Sequence, residues 1–417
     1  MKAVVFTLGC KVNGCESASL MRGLEERGWQ VSDRLEPADL FILNTCAVTG
    51  EAEKKSRQAV ARIRAVAPDA RIIVCGCAAQ AHPESFAGKE NVALVAGAQG
   101  KRRLLEMLGG EGVNLCADGR IFDEMPEPHF LQARAYVKIQ DGCDRFCSYC
   151  IIPYLRGRSR SRGMESALKE IRAAKAEEIV LTGIDISSYK TENGDLADLL
   201  GNLRDFPARV RLGSLEVHAV TRRLLESAVA MRDFAPHFHL SLQSGSDAVL
   251  RKMNRRYTTE EYAGAVALIR EYFPDAAVTT DVIAGFPAET EEDFQETLAF
   301  LRRIGFSQCH CFAYSRREGT RAAQWREIAP EEKSRRVHLL LTEAEKLRAA
   351  YEERFLGKAL SLVPEEEKDG MTEGYSENYI RLYVPGRISS KEMVRAVRPY
   401  GDGLLCERIQ EPKGGKQ

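Results

Sequence analysis

Three cysteines spaced CxxxCxxC, Cys143, Cys147 and Cys150, follow an apolar stretch, Ala135-Tyr136-Val137-Lys138-Ile139-Gln140, that alternates as a strand does before the chain turns at Asp141-Gly142. A strand running straight into such a loop sets three thiols on one short segment. A four-iron cluster normally takes four thiolates, so three on one loop would seat a cubane and leave one iron open to another ligand. Zinc is the competitor, but closed zinc sites pair two CxxC knuckles or add histidines at fixed spacing, and no His lies in this loop. Buried structural thiols are the plain alternative, for which three closely spaced cysteines beside Gly and aromatic residues make a poor core pattern.

A chain of 417 residues exceeds one ordinary core, which predicts two or three domains. Lys plus Arg and Asp plus Glu both number 60, so any RNA contact must come from local patches rather than net charge. Twelve cysteines spread thinly over a long charged chain fit metal ligation in a reducing cytosol better than disulfides. The opening, Met1 to Cys10, has the outline of a lipoprotein signal, but its apolar stretch is too short and runs on into a helical pattern, so it reads as a first β-strand. No run of about 18 apolar residues occurs. The expectation is a cytoplasmic protein without a membrane partner.

From residue 1 to about 110, strand signals at 3–8, 39–44, 71–74 and 93–96 alternate with helical ones at 17–27 and 51–65, which predicts a doubly wound α/β domain. Three of its strand ends run into cysteine: Leu8-Gly9-Cys10, Asn44-Thr45-Cys46 and Val74-Cys75-Gly76-Cys77. Ligands bind beyond the carboxyl ends of strands in open parallel sheets, so these thiols are expected to converge. A lone Cys at a tight turn is often just a small buried residue; three of them, in a chain that carries the CxxxCxxC loop, favour metal ligation and a second cluster. Residues 111–133, with Pro126 and Pro128, read as a linker. Strands at 178–181, 209–212, 238–242, 277–283 and 307–312 make residues 134–352 a partial (β/α)6 barrel open on one side. Residues 357–417 change to short strands at 360–363, 379–384, 393–397 and 404–407, a small OB-like β-barrel with a frayed tail from Pro412.

The CxxxCxxC loop resembles that of the radical S-adenosylmethionine (SAM) superfamily. The whole chain, through Thr7-Leu8-Gly9-Cys10-Lys11-Val12-Asn13, Asn44-Thr45-Cys46-Ala47-Val48-Thr49 and Gly76-Cys77-Ala78-Ala79-Gln80, resembles the methylthiotransferases within it. The resemblance implies that Cys143, Cys147 and Cys150 hold a [4Fe–4S] cluster whose open iron is chelated by SAM, and that the reduced cluster cleaves SAM to a 5′-deoxyadenosyl radical. It implies that Cys10, Cys46 and Cys77 hold a second, auxiliary [4Fe–4S] cluster carrying the incoming sulfur. Cys77 is chosen because it follows Gly and precedes the Ala-Gln element, which leaves Cys75 and Cys15 as bystanders. Tyr149 stands where the family carries an aromatic residue near the adenine. Further SAM contacts are expected from barrel strand ends: Thr182, Gly183, Ser214, Glu216, Gln243 and Asp281. Arg251 and Arg255 read as solvated helix-surface residues. The C-terminal segment resembles the TRAM domain, with Arg381, Lys391, Arg395 and Arg398 as physical support for RNA binding.

Gly9-Cys10-Lys11-Val12-Asn13 is similar to the branch acting on N6-threonylcarbamoyladenosine at tRNA position 37. The isopentenyladenosine branch reads Gly-Cys-Gln-Met-Asn there, and the branch modifying ribosomal protein S12 reads Gly-Cys-Pro-Lys-Asn. The implied reaction replaces hydrogen on C2, an unactivated sp² carbon that ordinary acid–base chemistry does not open. It uses two SAM, a sulfur donor and a reductant protein of the flavodoxin or ferredoxin type, on a tRNA anticodon stem–loop. Arg156, Arg158, Arg160 and Arg162 alternate, so in an extended segment all four would bracket phosphates beside the cluster mouth, a solvated basic loop being the alternative. Other readings are methylthiolation of isopentenyladenosine-37 or of a ribosomal protein residue, and a zinc-stabilised RNA-binding protein without catalysis.

Overall fold

A computed structural model of the protein describes residues 1–115, 121–128 and 133–409. The tail from Pro412 and part of the linker lie outside these residues. The N-terminal part comprises β1 (Lys2–Thr7), α1 (Lys11–Glu25), β2 (Gln30–Ser32), β3 (Leu40–Thr45), α2 (Gly50–Val66), β4 (Arg71–Gly76), α3 (Cys77–Ala81), β5 (Val92–Ala96), α4 (Lys101–Leu104) and β6 (Gly112–Asn114). Its strands form one parallel sheet in the order β2-β1-β3-β4-β5-β6. Near-continuous apolar runs such as Ala3-Val4-Val5 and Ile72-Ile73-Val74 suit strands covered on both faces. Val4, Phe41, Leu43 and Val74 pack on one face with Ala59 and Ile63 of α2, while Ala3, Val5, Ile42 and Ile73 pack on the other with Leu20 and Leu24 of α1. The doubly wound arrangement is as expected. The edge strands β2 and β6 are additions, each only 3 residues long and too short to show a period.

The central part contains β7 (Arg134–Lys138), β8 (Gln140–Asp141), α5 (Ile152–Arg156), β9 (Arg160–Ser161), α6 (Met164–Ala173), β10 (Glu178–Thr182), a small hairpin β11 (Lys190–Thr191) and β12 (Gly194–Asp195), α7 (Leu196–Gly201), β13 (Arg209–Leu212) and β14 (Ser214–Leu215). It continues through α8 (Arg222–Val229), β15 (His237–Leu240), α9 (Asp247–Lys252), α10 (Thr259–Tyr272), β16 (Ala277–Ala284), α11 (Glu291–Ile304), β17 (Gln308–Ala313) and α12 (Pro330–Glu353). Parallel sheets β13-β10-β7 and β14-β15-β16-β17 meet at Gly213, between β13 and β14. The result is one curved wall open between β7 and β17, the expected partial barrel.

Alternation along these strands divides its two faces. Ala135, Val137, Ile179, Leu181, Val210, Phe238 and Val278 face the helices in the main core. The alternate positions, including Arg134, Tyr136, Lys138, Glu178, Arg211, His237, His239, Asp281 and His310, line the lumen. Closed TIM barrels fill their centre with branched apolar side chains; this lumen is polar.

The last five strands, β18 (Ala359–Lys368), β19 (Met371–Tyr375), β20 (Arg381–Pro385), β21 (Glu392–Tyr400) and β22 (Gly403–Arg408), close a barrel in the order β18-β19-β20-β22-β21. The sequence patterns missed β19. The strand expected from Tyr379 starts at Arg381 instead, because Tyr379 adopts φ 64° in the turn before it. This barrel docks under the central one: Arg209 donates to Ser361 Oγ (2.7 Å), Arg211 donates to the carbonyls of Ser376 (3.0 Å) and Glu377 (3.1 Å), and Tyr379 stacks on His237 with centroids 4.4 Å apart. Among the described residues no helix is long and apolar enough to cross a membrane.

Candidate cluster and SAM sites

The N-terminal strand order changes direction between β1 and β3, where an open parallel sheet leaves a crevice at its carboxyl ends. Cys10 caps α1 just beyond β1, Cys46 follows β3, and Cys77 opens α3 directly after β4. Gly9 and Gly76 turn the chain at φ 109° and 97°. A Cβ on Gly9 would stand 2.6 Å from Cys46 Cβ and 2.9 Å from its Sγ, so the approach of the two strand ends needs glycine. Asn13 fastens them, its Nδ2 donating to the carbonyls of Leu8 (2.8 Å) and Thr45 (2.9 Å). Burial is the main reason the Cys46 thiol is hard to ionise, and its neighbours Cys77 and Cys10 add to it. Cys75 points to the opposite core, and the Cys15 thiol donates to the Tyr136 carbonyl at 3.3 Å; both stand apart from the other three.

The CxxxCxxC loop is held from several sides. Gly142 sits at φ 70° with no room for a Cβ against the Arg158 carbonyl. Gln140 Nε2 donates to the carbonyls of Asp141 (2.9 Å) and Gly142 (2.8 Å), while its Oε1 accepts from the Asp185 amide (2.7 Å). Phe146 adopts φ 49°, a conformation costly for a bulky residue; Asn254 Nδ2 secures it by donating to the carbonyls of Arg145 (3.2 Å) and Phe146 (3.0 Å). Ser148 anchors the loop to the C-terminal end of α9, its amide donating to the Met253 carbonyl at 3.0 Å and its hydroxyl to that of Lys252 at 2.8 Å.

A buried charge network joins the two cysteine sets. Arg156, fully buried, donates to Glu16 Oε1 (2.8 Å) and Oε2 (3.2 Å), Asn13 Oδ1 (2.7 Å) and Asp141 Oδ1 (3.1 Å). Lys138 bridges Glu16 (2.8 Å) and Asp141 (3.1 Å), Lys101 pairs with Glu16, and Arg160 pairs with Asp141 (3.0 Å). Burial pushes the Glu16 carboxyl up, but Arg156, Lys101 and Lys138 together hold it well below the usual carboxylate range. The same opposition, with Lys138 and Arg156 as the main cations, brings Asp141 down to about 2. Arg156 also lies against Cys77, and its Nε, buried, has no acceptor in hydrogen-bonding geometry.

These contacts overturn the expected role of the arginine run. The chain does not stay extended through it: α5 ends at Arg156 and Gly157 reverses at φ 77°. Arg156, Arg160 and Arg162 are buried, and Arg162 pairs with Glu170 and Glu124. Only Arg158 is exposed, with its side chain 71% accessible and paired to Asp144 at 2.9 Å. Arg255 is a second correction. It follows α9 rather than lying on a helix surface, its side chain is 4% exposed, and its Nη2 donates to Glu216 Oε1 (2.8 Å) and Oε2 (2.7 Å) while Nη1 approaches Cys147 Sγ at 3.4 Å. In both places a partner is remote in sequence, Glu16 lying 140 residues from Arg156 and Glu216 lying 39 from Arg255, whereas Glu170 lies only 8 from Arg162.

Arg145, Cys147, Glu216, His218, Arg255 and Tyr257 are among the residues around a cavity of about 220 Å³ beside the loop. Of the residues expected to touch SAM, Glu216 lines it. Thr182 and Gly183 instead flank the Gln140 staple, the Thr182 carbonyl accepting from the Ile139 amide at 2.9 Å. Ser214 is exposed on β14. Gln243 is tied through its backbone, its amide donating to the Asp281 carbonyl at 2.9 Å, and the Asp281 side chain faces His239 Nε2 at 3.3 Å in the lumen. Tyr149 meets Phe286 edge-on with centroids 6.4 Å apart. Sequence patterns alone missed Arg145, Asn254 and His218; Asn254-Arg255-Arg256-Tyr257, a polar run just past a short helix, was the available signal.

The donor chemistry fits iron–sulfur ligation. Burial pushes Cys143 and Cys150 up to about 12 and Cys46 up to about 11. Such thiols stay protonated and poorly nucleophilic near neutral pH and ionise against a cation. All six candidate donors are free cysteine thiols, the donor type that iron–sulfur clusters take.

Residues 137–301 match the Radical SAM superfamily, and residues 2–97 match a family described as uncharacterized protein family UPF0004. The chain is 35% identical, over 99% of its length and 98% of its relative, to threonylcarbamoyladenosine tRNA methylthiotransferase MtaB of Bacillus subtilis. It is 37% identical, over 95% of its length and 100% of the relative, to the protein of that name from Aquifex aeolicus. It is also 34% identical, over 88% of its length and 87% of the relative, to tRNA-2-methylthio-N(6)-dimethylallyladenosine synthase of Pelotomaculum thermopropionicum. In fold it is similar to the radical SAM methyltransferase TsrM from Kitasatospora setae, with a TM-score of 0.54 at 16% identity over 77% of each chain. With relatives of this kind matched along nearly its whole length, the chain belongs to the radical SAM methylthiotransferases, enzymes that use SAM and [4Fe–4S] clusters.

Proposed function

We propose that this protein methylthiolates C2 of N6-threonylcarbamoyladenosine at position 37 of tRNA. The observation that supports the reading is the buried network of Glu16, Arg156 and Asp141, which ties the glycine-turned strand ends of the N-terminal sheet to the root of the CxxxCxxC loop. In this reading Cys143, Cys147 and Cys150 hold the SAM-cleaving cluster, and Cys10, Cys46 and Cys77 hold the auxiliary one. When bound, the two clusters supply the electron that splits SAM and the sulfur that is transferred. The chain's own residues position and shield: Gln140, Ser148 and Asn254 fix the loop, and Arg255 with Glu216 shapes the cavity beside Cys147. The choice of the threonylcarbamoyl substrate rests on Lys11-Val12 after Cys10 and on the names of the relatives in Bacillus subtilis and Aquifex aeolicus.

A tRNA anticodon stem–loop is the proposed partner, with a flavodoxin- or ferredoxin-type reductant and a sulfur donor. The outer side of β21 offers Met393, Val397 and Tyr400 as exposed apolar side chains beside exposed Arg395 and Arg398, a mixture suited to unpaired bases and phosphates. Arg381 and Lys391 are already paired, with Glu373 and with Asp233. Comparing tRNA nucleosides from cells with and without the gene tests the reading. Loss of the methylthio-threonylcarbamoyl nucleoside is expected; loss of the methylthio-isopentenyl form would move the enzyme to the neighbouring branch, and an unchanged profile would point to a protein substrate.

A further inference from the structure

Lys11 is the first residue of α1, directly after Cys10, and its side chain reaches the rings of Tyr136 and Tyr379. Its Nζ lies 5.7 Å from the ring centroid of Tyr136 on β7 and 5.9 Å from that of Tyr379, the residue that stacks on His237. Its charge bears on His237 and His310, both facing the lumen. Lys11 therefore places a cation in the open side of the barrel, between the auxiliary cysteines and the floor supplied by the C-terminal domain.

The neighbouring cations are all neutralised. Arg134 pairs with Glu178 (2.8 Å) and Glu365 (2.7 Å), Arg211 with Glu178 (2.7 Å), and Lys138 with Glu16 (2.8 Å). Farther round, Arg145 pairs with Asp185 (3.1 Å) and Arg255 with Glu216 (2.7 Å). The lumen carboxylate Asp281 is engaged by His239 at 3.3 Å. Among the described residues Lys11 makes no ion pair and no side-chain hydrogen bond, and it remains exposed on an aromatic platform. An ammonium held at the reaction chamber without a carboxylate is complementary to an anionic substrate group.

Geometry on the substrate side leads to the same place. C2 and N6 of adenine share one edge of the purine, separated by N1. A residue adjoining Cys10, where the proposed reading places the sulfur, is therefore within reach of whatever N6 carries. A threonylcarbamoyl group ends in a carboxylate; an isopentenyl group carries no charge.

We propose that Lys11 binds the carboxylate of the N6 substituent and so sets which modified adenosine this enzyme accepts. The proposal rests on the reading that the enzyme methylthiolates a hypermodified adenosine in tRNA, and it adds the residue that selects the substrate.

The test uses three anticodon stem–loops of one sequence, carrying adenosine, threonylcarbamoyladenosine, or its threonine-amide analogue at position 37. Binding to the full-length, cluster-loaded enzyme is measured by fluorescence anisotropy, and product by mass spectrometry. Wild type is expected to bind the carboxylate form about ten- to a hundredfold tighter than the amide, the range for a charge-assisted hydrogen bond. In Lys11→Gln the two forms should bind within about twofold of each other, because the coupling is lost with one partner; Lys11→Arg should keep the preference. The wild-type comparison needs no variant, so a folding failure of Lys11→Gln leaves it intact. A wild type that methylthiolates both forms and binds them equally overturns the role of Lys11 while leaving the tRNA reading in place. A Lys11→Gln enzyme that keeps the full preference also overturns it. A wild type that makes no methylthio product on any stem–loop overturns the reading beneath it.

Discussion

Arg156, the last residue of α5, donates to both carboxylate oxygens of Glu16 in α1, at 2.8 and 3.2 Å, across a separation of 140 residues. The same guanidinium reaches Asp141 at the root of the CxxxCxxC loop and lies against Cys77. One buried side chain thus links the two cysteine sets. In the proposed reading, where one site generates the reactive species and the other delivers sulfur to the same carbon, such a tie between the sites matters.

Glu16→Gln keeps the shape of this junction and removes the charge that compensates Arg156, Lys101 and Lys138. Breaking a buried pair from one side costs about 3–5 kcal/mol, because the remaining charges stay buried. Chemical denaturation should show a loss of at least ~3 kcal/mol for the N-terminal unit, with bleaching of cluster absorbance at lower denaturant. An unchanged midpoint would mean that the network does not hold the junction.

The two cysteine sets should fail differently. Replacing Cys143, Cys147 and Cys150 by Ala is expected to abolish 5′-deoxyadenosine, read by chromatography. Replacing Cys10, Cys46 and Cys77 by Ala should spare SAM cleavage and stop thiolation. Full product from the second variant would sink the two-cluster arrangement.

Arg255→Leu should weaken SAM binding. The guanidinium is buried between Glu216 and Cys147 Sγ at the edge of the cavity of about 220 Å³, and its loss leaves the Glu216 carboxylate without its partner. A fall in SAM affinity of about tenfold or more is expected, measured by equilibrium dialysis. Unaltered affinity at full iron content would place SAM elsewhere.

Docking of the C-terminal barrel should depend on acid pH through Glu178. Burial pushes its carboxyl up, but Arg211, Arg134 and Arg209 outweigh that and bring it from the ordinary 4.5 down to about 2. A group depressed in the folded state adds stability above its unfolded pKa and loses it as pH falls through the folded one. The contribution, roughly 3 kcal/mol, should therefore be complete at neutral pH and fade between about pH 4.5 and 2. Stability of Glu178→Gln, followed by Tyr fluorescence, should be lower at neutral pH and flatter across that window. A variant whose stability falls as steeply as wild type would contradict this assignment.

Local chemistry was legible in the sequence, and long-range pairing was not. Cys143, Cys147 and Cys150 sit on one loop, and the strand-end positions of Cys10, Cys46 and Cys77 follow from a βα rhythm visible residue by residue. The arginine run shows the limit. Alternation of Arg156 to Arg162 reads as an exposed basic edge while the carboxylates that pair with it are left out: Glu16 and Glu124 are distant, whereas Asp141 and Glu170 lie 19 residues from Arg160 and 8 from Arg162 and were near enough to weigh. Arg255 was misread for the same reason, its partner Glu216 lying 39 residues away. Strand β19 escaped because Met371–Tyr375 is short and carries Gly374 beneath Leu362, where a Cβ would clash with the Val363 carbonyl.

The most direct measurement is reconstitution. Cluster-loaded enzyme, SAM, a chemical reductant and a sulfide source are combined with an anticodon stem–loop carrying threonylcarbamoyladenosine at position 37, and the digested nucleosides are read by mass spectrometry. Appearance of the C2-methylthio nucleoside, together with 5′-deoxyadenosine, is the predicted result. Formation of 5′-deoxyadenosine with the nucleoside unchanged, while an isopentenyladenosine stem–loop or a ribosomal protein is modified, would contradict the assignment.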